Sequence, residues 1–341
     1  MKKGRLAILI LLSMLVCFAG SANAGPITLK FNYSMPLKKS IALSWHWYAD
    51  ELAKQSNGKV KIQFFPLGGL FKAQETRDNI IAGTADIANL SISTEGPRMP
   101  LASISSLPTV EFPNTIQGTM DASRIIVKLV EESPELAAEF QPFKVLALPY
   151  LTAYGVFDKE PIYLPSDIKG KKMRAAAMHA EFVRSLGGAS VNIVPPQVYM
   201  SMKTGVIDGS IMSISQIGDY KLWEVAHYFT DVYMGRSLFA IIMNKESWND
   251  LPPDIQQLMD KLAPGMVKKG AEVMYEETLK GTKDFLANGG EIIKVTEEQK
   301  KAWDAAKAPL EKMWLENCRE KGLGGPAEDL LKRFKALAAS K

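Results

Sequence analysis

The order strand–helix–strand–helix–strand can be read twice along this 341-residue chain, and that duplication constrains its fold more than any other feature. In the first half, residues 28–33 alternate apolar and polar side chains as a strand does, and so do Val60, Ile62 and Phe64. Between them Ile41, Trp45, Tyr48 and Leu52 share one helical face, with Ser40 placed to cap it and Asn57-Gly58 to stop it. A second helix is predicted over 73–82 and a strand over 87–91. The second half gives a strand over 171–175, a helix over 180–186, a strand over 191–194, a helix over 197–204 and a strand over 207–212. Each closing strand is preceded by a glycine and, three residues on, an aspartate: Gly83 and Asp86, then Gly205 and Asp208. Each then ends in Ser-Ile-Ser, at 91–93 and 213–215. Such alternation implies parallel strands with right-handed crossovers, and here two similar α/β lobes. Strands of such sheets present ligand contacts at their carboxyl ends, so both Ser-Ile-Ser turns are expected to face one shared cleft.

Beyond residue 244 the pattern becomes helical. Segments 254–262, 266–287 and 297–320 carry apolar stripes with few breakers apart from Pro309, and such stripes usually pack onto their own lobes. At the other end, Lys2, Lys3 and Arg5 precede an uncharged, mostly apolar run over 6–20 and then Ala22-Asn23-Ala24. That is the pattern of an export signal cleaved after Ala24. The run is shorter than the ~20 apolar residues that span a bilayer. Val16 stands where a lipid-attachment site at Cys17 would want a small residue. Removal of 1–24 takes three of the 41 Lys+Arg and none of the 37 Asp+Glu, leaving 38 against 37. The near-neutral remainder gives no case for a nucleic-acid partner. Cys318 is then the only cysteine, so the exported chain has no intrachain disulfide and must be held by its core.

Catalytic signatures are missing. The chain has no P-loop, no G-x-G-x-x-G, no G-x-S-x-G and no H-E-x-x-H. His46, His179 and His227 lie in separate segments without metal-ligand spacing, and a lone cysteine excludes a Cys-rich metal site. No catalytic residue, metal or cofactor is expected.

Several phrases together carry a family resemblance. Pro161-Ile162 is followed by Pro165-Ser166-Asp167-Ile168-Lys169-Gly170-Lys171-Lys172-Met173-Arg174, then by Leu186-Gly187-Gly188-Ala189 and Pro195-Pro196-Gln197-Val198-Tyr199. Next come Gly205-Val206-Ile207-Asp208-Gly209, Met243-Asn244-Lys245, Trp248 and Leu251-Pro252-Pro253-Asp254-Ile255-Gln256. In order and spacing the chain resembles the solute-binding subunits of tripartite ATP-independent periplasmic (TRAP) transporters, of the C4-dicarboxylate-binding (DctP) type. The resemblance implies a two-lobed periplasmic binding protein fold: parallel or mixed sheets flanked by helices, hinge strands, and a long helix lying across both lobes. It places 25–148 with about 238–275 in the first lobe, and 149–237 with about 276–341 in the second. It further implies a periplasmic monomer that closes around an organic acid and delivers it to the small and large membrane permease subunits. The rival expectations are an exported enzyme acting on small organic acids, or a binding protein serving a sensor kinase.

In this family the arginine that ends the K-G-x-K-x-R phrase binds the ligand carboxylate, and here it is Arg174. A guanidinium suits that role because its planar paired donors match two carboxylate oxygens. Ser34, Ser91, Met212, Ser213, Phe239 and Tyr154 are carried over as further ligand-binding positions. Two departures bear on the ligand. Many members have a second arginine upstream, but Leu148-Pro149-Tyr150-Leu151-Thr152-Ala153-Tyr154-Gly155 contains none, and Met212 stands where many have asparagine. A second carboxylate buried without a partner is costly. The expected ligand is therefore a monocarboxylate with an apolar or aromatic body. Lys221-Leu222-Trp223-Glu224-Val225 also resembles a branch of the family with such relaxed pockets.

Overall fold

The computed structural model describes residues 25–37 and 40–340. The export signal expected over 1–24 lies outside them, and none of the described helices is long and apolar enough to cross a membrane. The strands are β1 (Ile27–Asn32), β2 (Val60–Phe65), β3 (Ile87–Ser91), β4 (Phe143–Ala147), β5 (Tyr150–Ala153) and β6 (Gly155–Asp158). They continue with β7 (Lys172–Arg174), β8 (Ala189–Val191), β9 (Gly209–Met212), β10 (Tyr228–Thr230), β11 (Arg236–Asn244) and β12 (Glu291–Ile293). One sheet runs β2-β1-β3-β11-β4, with β5 also paired to β11; the other runs β8-β7-β9-β6-β10-β12. In each, the first three strands are parallel and the fourth is antiparallel to the third. The fold is thus a two-lobed α/β fold with mixed sheets.

The duplication extends to single bonds. Gly83 and Gly205 take φ of 71° and 73°, a left-handed turn that glycine adopts without strain. Asp86 then accepts the Lys30 N–H on Oδ2 at 2.7 Å and donates its own N–H to the Lys30 carbonyl at 3.0 Å. Asp208 does the same with Lys172, at 2.8 and 2.7 Å. Each aspartate fixes the register of a closing strand against its neighbour. At the far end Ser91 and Ser213 each open a short helix, Ile92–Glu95 and Ile214–Asp219, with their hydroxyls 2.9 Å from those of Ser93 and Ser215.

Both sheets are buried on both faces, as crossover helices require. Along β11 the side chains alternate: Leu238, Ala240 and Ile242 enter one apolar cluster, while Phe239, Ile241 and Met243 enter the other. In the second sheet, Val156, Met173 and Ile211 face one cluster; Phe157 and Met212 face the opposite one. The helices Pro309–Glu320 and Gly324–Ala339 follow the last strand of the second sheet. They nevertheless contribute Trp314, Cys318, Leu330 and Phe334 to the first lobe's core. Trp314 Nε1–H also donates to the Pro100 carbonyl at 2.9 Å. Burial there pushes the Cys318 thiol up to about 12, which leaves it unreactive.

The chain crosses between the sheets at Tyr154 and again at Gly235. Those crossings bond to each other: Tyr154 N–H donates to the Gly235 carbonyl at 3.0 Å, and Met234 N–H to the Tyr154 carbonyl at 2.9 Å. A third connection is the 35-residue helix Pro253–Ala287. It is roughly 50 Å long at helical rise. Its Ile255, Met259 and Met266 pack in the first lobe, and Phe285 in the second. The sequence stripes break at Pro264, but the helix continues through it. Proline costs the Asp260 carbonyl its intrahelical donor, and apolar packing on either side holds the helix together across that gap.

Other local expectations shift. Ser40 does not cap the first helix; it has φ of 54° and its hydroxyl donates to the Met274 sulfur at 3.2 Å. The strand predicted over 191–194 is paired over 189–191. Beyond it Arg174 takes the Ile193 carbonyl, and Pro195 and Pro196 have no N–H to pair. The segment 297–320 divides into Glu297–Lys307 and Pro309–Glu320.

The lobe-spanning helix meets the helix Ile214–Asp219 at a pair of glycines. A Cβ on Gly281 would lie 2.7 Å from the Ile214 carbonyl oxygen, and one on Gly218 would lie 2.9 Å from the Gly281 Cα. Glycine to alanine inside a helix ordinarily stabilises by about 1 kcal/mol. Here Gly281→Ala should instead destabilise by ~1–3 kcal/mol through overpacking, measured by thermal or urea unfolding.

Candidate ligand-binding site

Arg174 ends β7, the strand held between β8 and β9. Its Nε–H donates to the Ile193 carbonyl at 2.9 Å and its Nη1–H to the Ile211 carbonyl at 3.0 Å. The guanidinium is therefore laid across the carboxyl ends of both neighbouring strands, with two of five donors spent on orientation. Burial lowers its pKa from the ordinary value, and the phenols of Tyr154 and Tyr220 oppose that shift. The group stays cationic at any relevant pH. Among the described residues no carboxylate pairs with it. In register, Arg174 opposite Ser210 corresponds to Asn32 opposite Ala88 in the first lobe. Asn32 is committed internally: it accepts the Leu70 N–H and donates to the Phe71 carbonyl, both at 3.0 Å. The duplication therefore carries one charged anchor, on the second lobe.

Around Arg174 the structure gathers three aromatic side chains. The Tyr154 hydroxyl lies 2.8 Å from that of Ser237, and its ring centroid is 5.7 Å from that of His179. His179 meets the Met234 carbonyl through Nε2. Burial first, and Arg174 second, pull its pKa down to about 4, so the imidazole is neutral near pH 7. Tyr220 is pushed up by burial and by Asp219, while Arg174 acts in the opposite sense. Between strand and helix, Ala177 holds φ of 48° and ψ of −127°, a region that alanine rarely occupies.

On the first lobe the N–H of exposed Ser34 donates to Asn89 Oδ1 at 3.3 Å. Ser91 pairs with Phe239 across β3 and β11. Phe239 is 7% exposed and backed by Trp45, with ring centroids 6.5 Å apart. Of the sequence-derived positions, then, Arg174 and Tyr154 stand together, while Ser34, Ser91 and Phe239 lie on the other lobe at the carboxyl end of its sheet. Met212 has no exposed surface and packs with Phe157 and Ile214 in the second lobe's core, and Ser213 beside it is buried. Asn89, His179 and Tyr220 were not among the expected contacts. Asn89 left a trace in the sequence, a polar residue between the apolar Ala88 and Leu90 of its strand; Tyr220 left none.

A cavity of about 650 Å³ lies behind the Tyr154 crossing, lined by Phe112, Phe229, Val232 and Tyr233 with Lys294 and Lys300 at its edge. Of the expected ligand residues, only Tyr154 reaches it. Its lysines are already paired, Lys294 with Asp231 and Lys300 with Glu111. It offers a carboxylate no uncompensated charge, which favours the Arg174 face as the site.

Comparison with known proteins agrees with this architecture. The DctP family, described as bacterial extracellular solute-binding protein family 7, matches residues 31–317. The C4-dicarboxylate-binding periplasmic protein DctP of Rhodobacter capsulatus is 25% identical over 308 residues, 85% of this chain and 86% of that one. A TRAP periplasmic solute-binding protein of Desulfovibrio salexigens, solved as an open complex, is 25% identical with a TM-score of 0.82, covering 93% of this chain and 97% of that one. A TRAP solute-binding protein of Rhodoferax ferrireducens, solved with copurified benzoate, superposes with a TM-score of 0.82 at 22% identity, over 92% and 98% of the two chains.

Two outcomes follow from the local chemistry. Ala177→Gly should raise unfolding stability by about 1 kcal/mol, since glycine adopts this backbone without strain, and a denaturant midpoint reads it directly. His179 takes up its proton near pH 6.5 when unfolded but only near 4 when folded. Its contribution is therefore complete above pH 6.5 and lost as the pH falls toward 4. Thermal melts of His179→Gln should show a flatter acid limb across that window than the parent protein.

Proposed function

Because the chain belongs to the bacterial extracellular solute-binding proteins of family 7, we propose that it is a periplasmic receptor for a monocarboxylate with an apolar or aromatic body. It is exported with cleavage after Ala24, binds without chemical turnover, and hands the acid to the two TRAP membrane permease subunits. Arg174 takes the carboxylate, and the loops around Ser34 and Ser91 close over the remainder. The observation that carries this reading is the Arg174 guanidinium, pinned by two backbone carbonyls and with no carboxylate partner among the described residues.

The ligand's single charge is argued from the surrounding donors. A second guanidinium, Arg236, is deeply buried at 1% exposed and donates to Thr119 Oγ1 and to the carbonyls of Leu151, Phe112 and Pro113. It is a hinge fastener with no donor pair to spare for a second carboxylate. Tyr154, Tyr220 and Phe239 favour an aromatic or branched body over a hydroxylated one. A TRAP solute-binding protein of similar fold was solved with copurified benzoate, which supports an aromatic acid as ligand.

Closure follows as a two-state motion about the crossings at Tyr154 and Gly235 and the long helix, driven by contacts made only when both lobes touch the ligand. The lobe division we adopt follows the crossings, which moves the expected boundaries at 148 and 238: 25–153 with about 236–275, against 155–234 with about 276–310. Beyond 310 the chain is assigned to the first lobe, following the packing of Trp314 and Phe334 rather than their place in the chain.

Two measurements test the proposal. A thermal-shift panel should show aryl and branched-chain monocarboxylates stabilising the protein more than succinate or malate; the reverse order would remove the ligand class. Arg174→Ala should weaken binding of the best acid by ~2 kcal/mol or more, as loss of charge-assisted hydrogen bonds to a buried group requires. Unchanged affinity by calorimetry would remove Arg174 from the site.

A further inference from the structure

The internal duplication also places two exposed apolar residues. Counting from the edge, each sheet reads edge strand, first strand, closing strand and crossing strand: β2-β1-β3-β11 and β8-β7-β9-β6. The hinge adjoins the fourth strand in both, so each edge strand lies roughly 14 Å away at ordinary strand spacing. The carboxyl ends of β2 and β8 therefore form the two lips of the cleft, at the end remote from the hinge. Just past β2 stands Leu67, and just past β8 stands Val194.

Leu67 is 70% exposed and holds φ of 55° and ψ of 26°, a left-handed backbone that leucine disfavours. An exposed leucine and a strained backbone at one residue is a double cost that folding alone does not call for. The turn is nonetheless built in: Leu67 N–H donates to the Met35 carbonyl at 3.1 Å and Gly68 N–H to the Tyr33 carbonyl at 2.9 Å. Leu67 is thereby tied to the residues flanking Ser34. Val194 is 51% exposed, and the carbonyl of its neighbour Ile193 is the one that holds Arg174 Nε. Each lip is thus one residue removed from a group assigned to the ligand.

We propose that Leu67 and Val194 meet across the mouth of the cleft when it closes, an apolar contact that positions the closed state and slows release of the acid. The inference rests on the carboxylate-capture reading. It adds residues that contact the opposite lobe rather than the ligand. Apolar surface buried only in the closed state stabilises that state selectively.

The test is a double variant, Leu67→Cys with Val194→Cys, in the signal-free chain, treated with a short bis-maleimide with and without saturating benzoate or phenylacetate. Cys318 is buried and stays silent. Benzoate or phenylacetate should raise cross-linking by at least about 5-fold, the increase expected if closure is a minor state without ligand. In the Arg174→Ala background the increase should vanish. Calorimetric binding without extra cross-linking would overturn the inference and leave the capture reading intact. If neither acid binds, capture of these acids fails, and the unliganded protein decides the inference. Cross-linking faster than in the pair Val127→Cys with Val194→Cys supports it, and an equal rate overturns it. Leu67→Asn, which tolerates the left-handed turn, should leave the melting temperature unchanged and speed release of a bound acid; unchanged release would contradict the role.

Discussion

A half-buried guanidinium with no carboxylate partner among the described residues is the constraint on which the proposed site depends. Arg174 is desolvated enough to lower its pKa, and its two structural hydrogen bonds go to neutral carbonyls at 2.9 and 3.0 Å. Carbonyl dipoles orient a cation, but they do not neutralise it. An incoming carboxylate supplies both the charge and the two parallel acceptors that the fork lacks. Phenols and a neutral imidazole around it add polar edges without competing charge. In the proposed role, specificity for an anion follows from what the second lobe leaves beside Arg174, no carboxylate among the described residues.

The two lobes are one design used twice and then made unequal. The glycine turn, the aspartate clasp on the next strand and the paired serines at the helix start recur bond for bond. Yet the position that holds Arg174 in one lobe holds Asn32 in the other, locked into its own loop. In the proposed capture, one lobe grips and the other covers. Such asymmetry suits hinge closure, because ligand attached to the gripping lobe gains further contacts only by drawing the second one in. Arg236 binds carbonyls of β5 and of the 112–113 segment, which would make the crossing strands move as a unit in the proposed closure.

Much of this was legible in the sequence, because alternation and helical stripes report burial, and the lobes are defined by burial. The repeated Gly-x-x-Asp and Ser-Ile-Ser phrases were readable because both serve backbone geometry, which demands the same residues wherever it recurs. Arg174 was readable only through the surrounding phrase, since an isolated arginine at a strand end has no distinguishing pattern. What stayed hidden depends on contacts distant in the chain. Helical periodicity cannot say which lobe Trp314 and Phe334 will join, nor that packing on both flanks carries a helix through Pro264. Met212 illustrates the same limit: its side chain points into the second lobe's core, a matter of strand face that a one-residue shift would reverse.

The central claim is that a single fixed cation selects a singly charged acid. Mass spectrometry of the small molecule released when the protein, purified from its native host, is denatured addresses it without presupposing a ligand. The expected compound carries one carboxylate and an apolar or aromatic body, is retained by the parent protein and is absent from Arg174→Ala. Recovery of a dicarboxylate or a sugar acid, or of the same compound from both proteins, would contradict it.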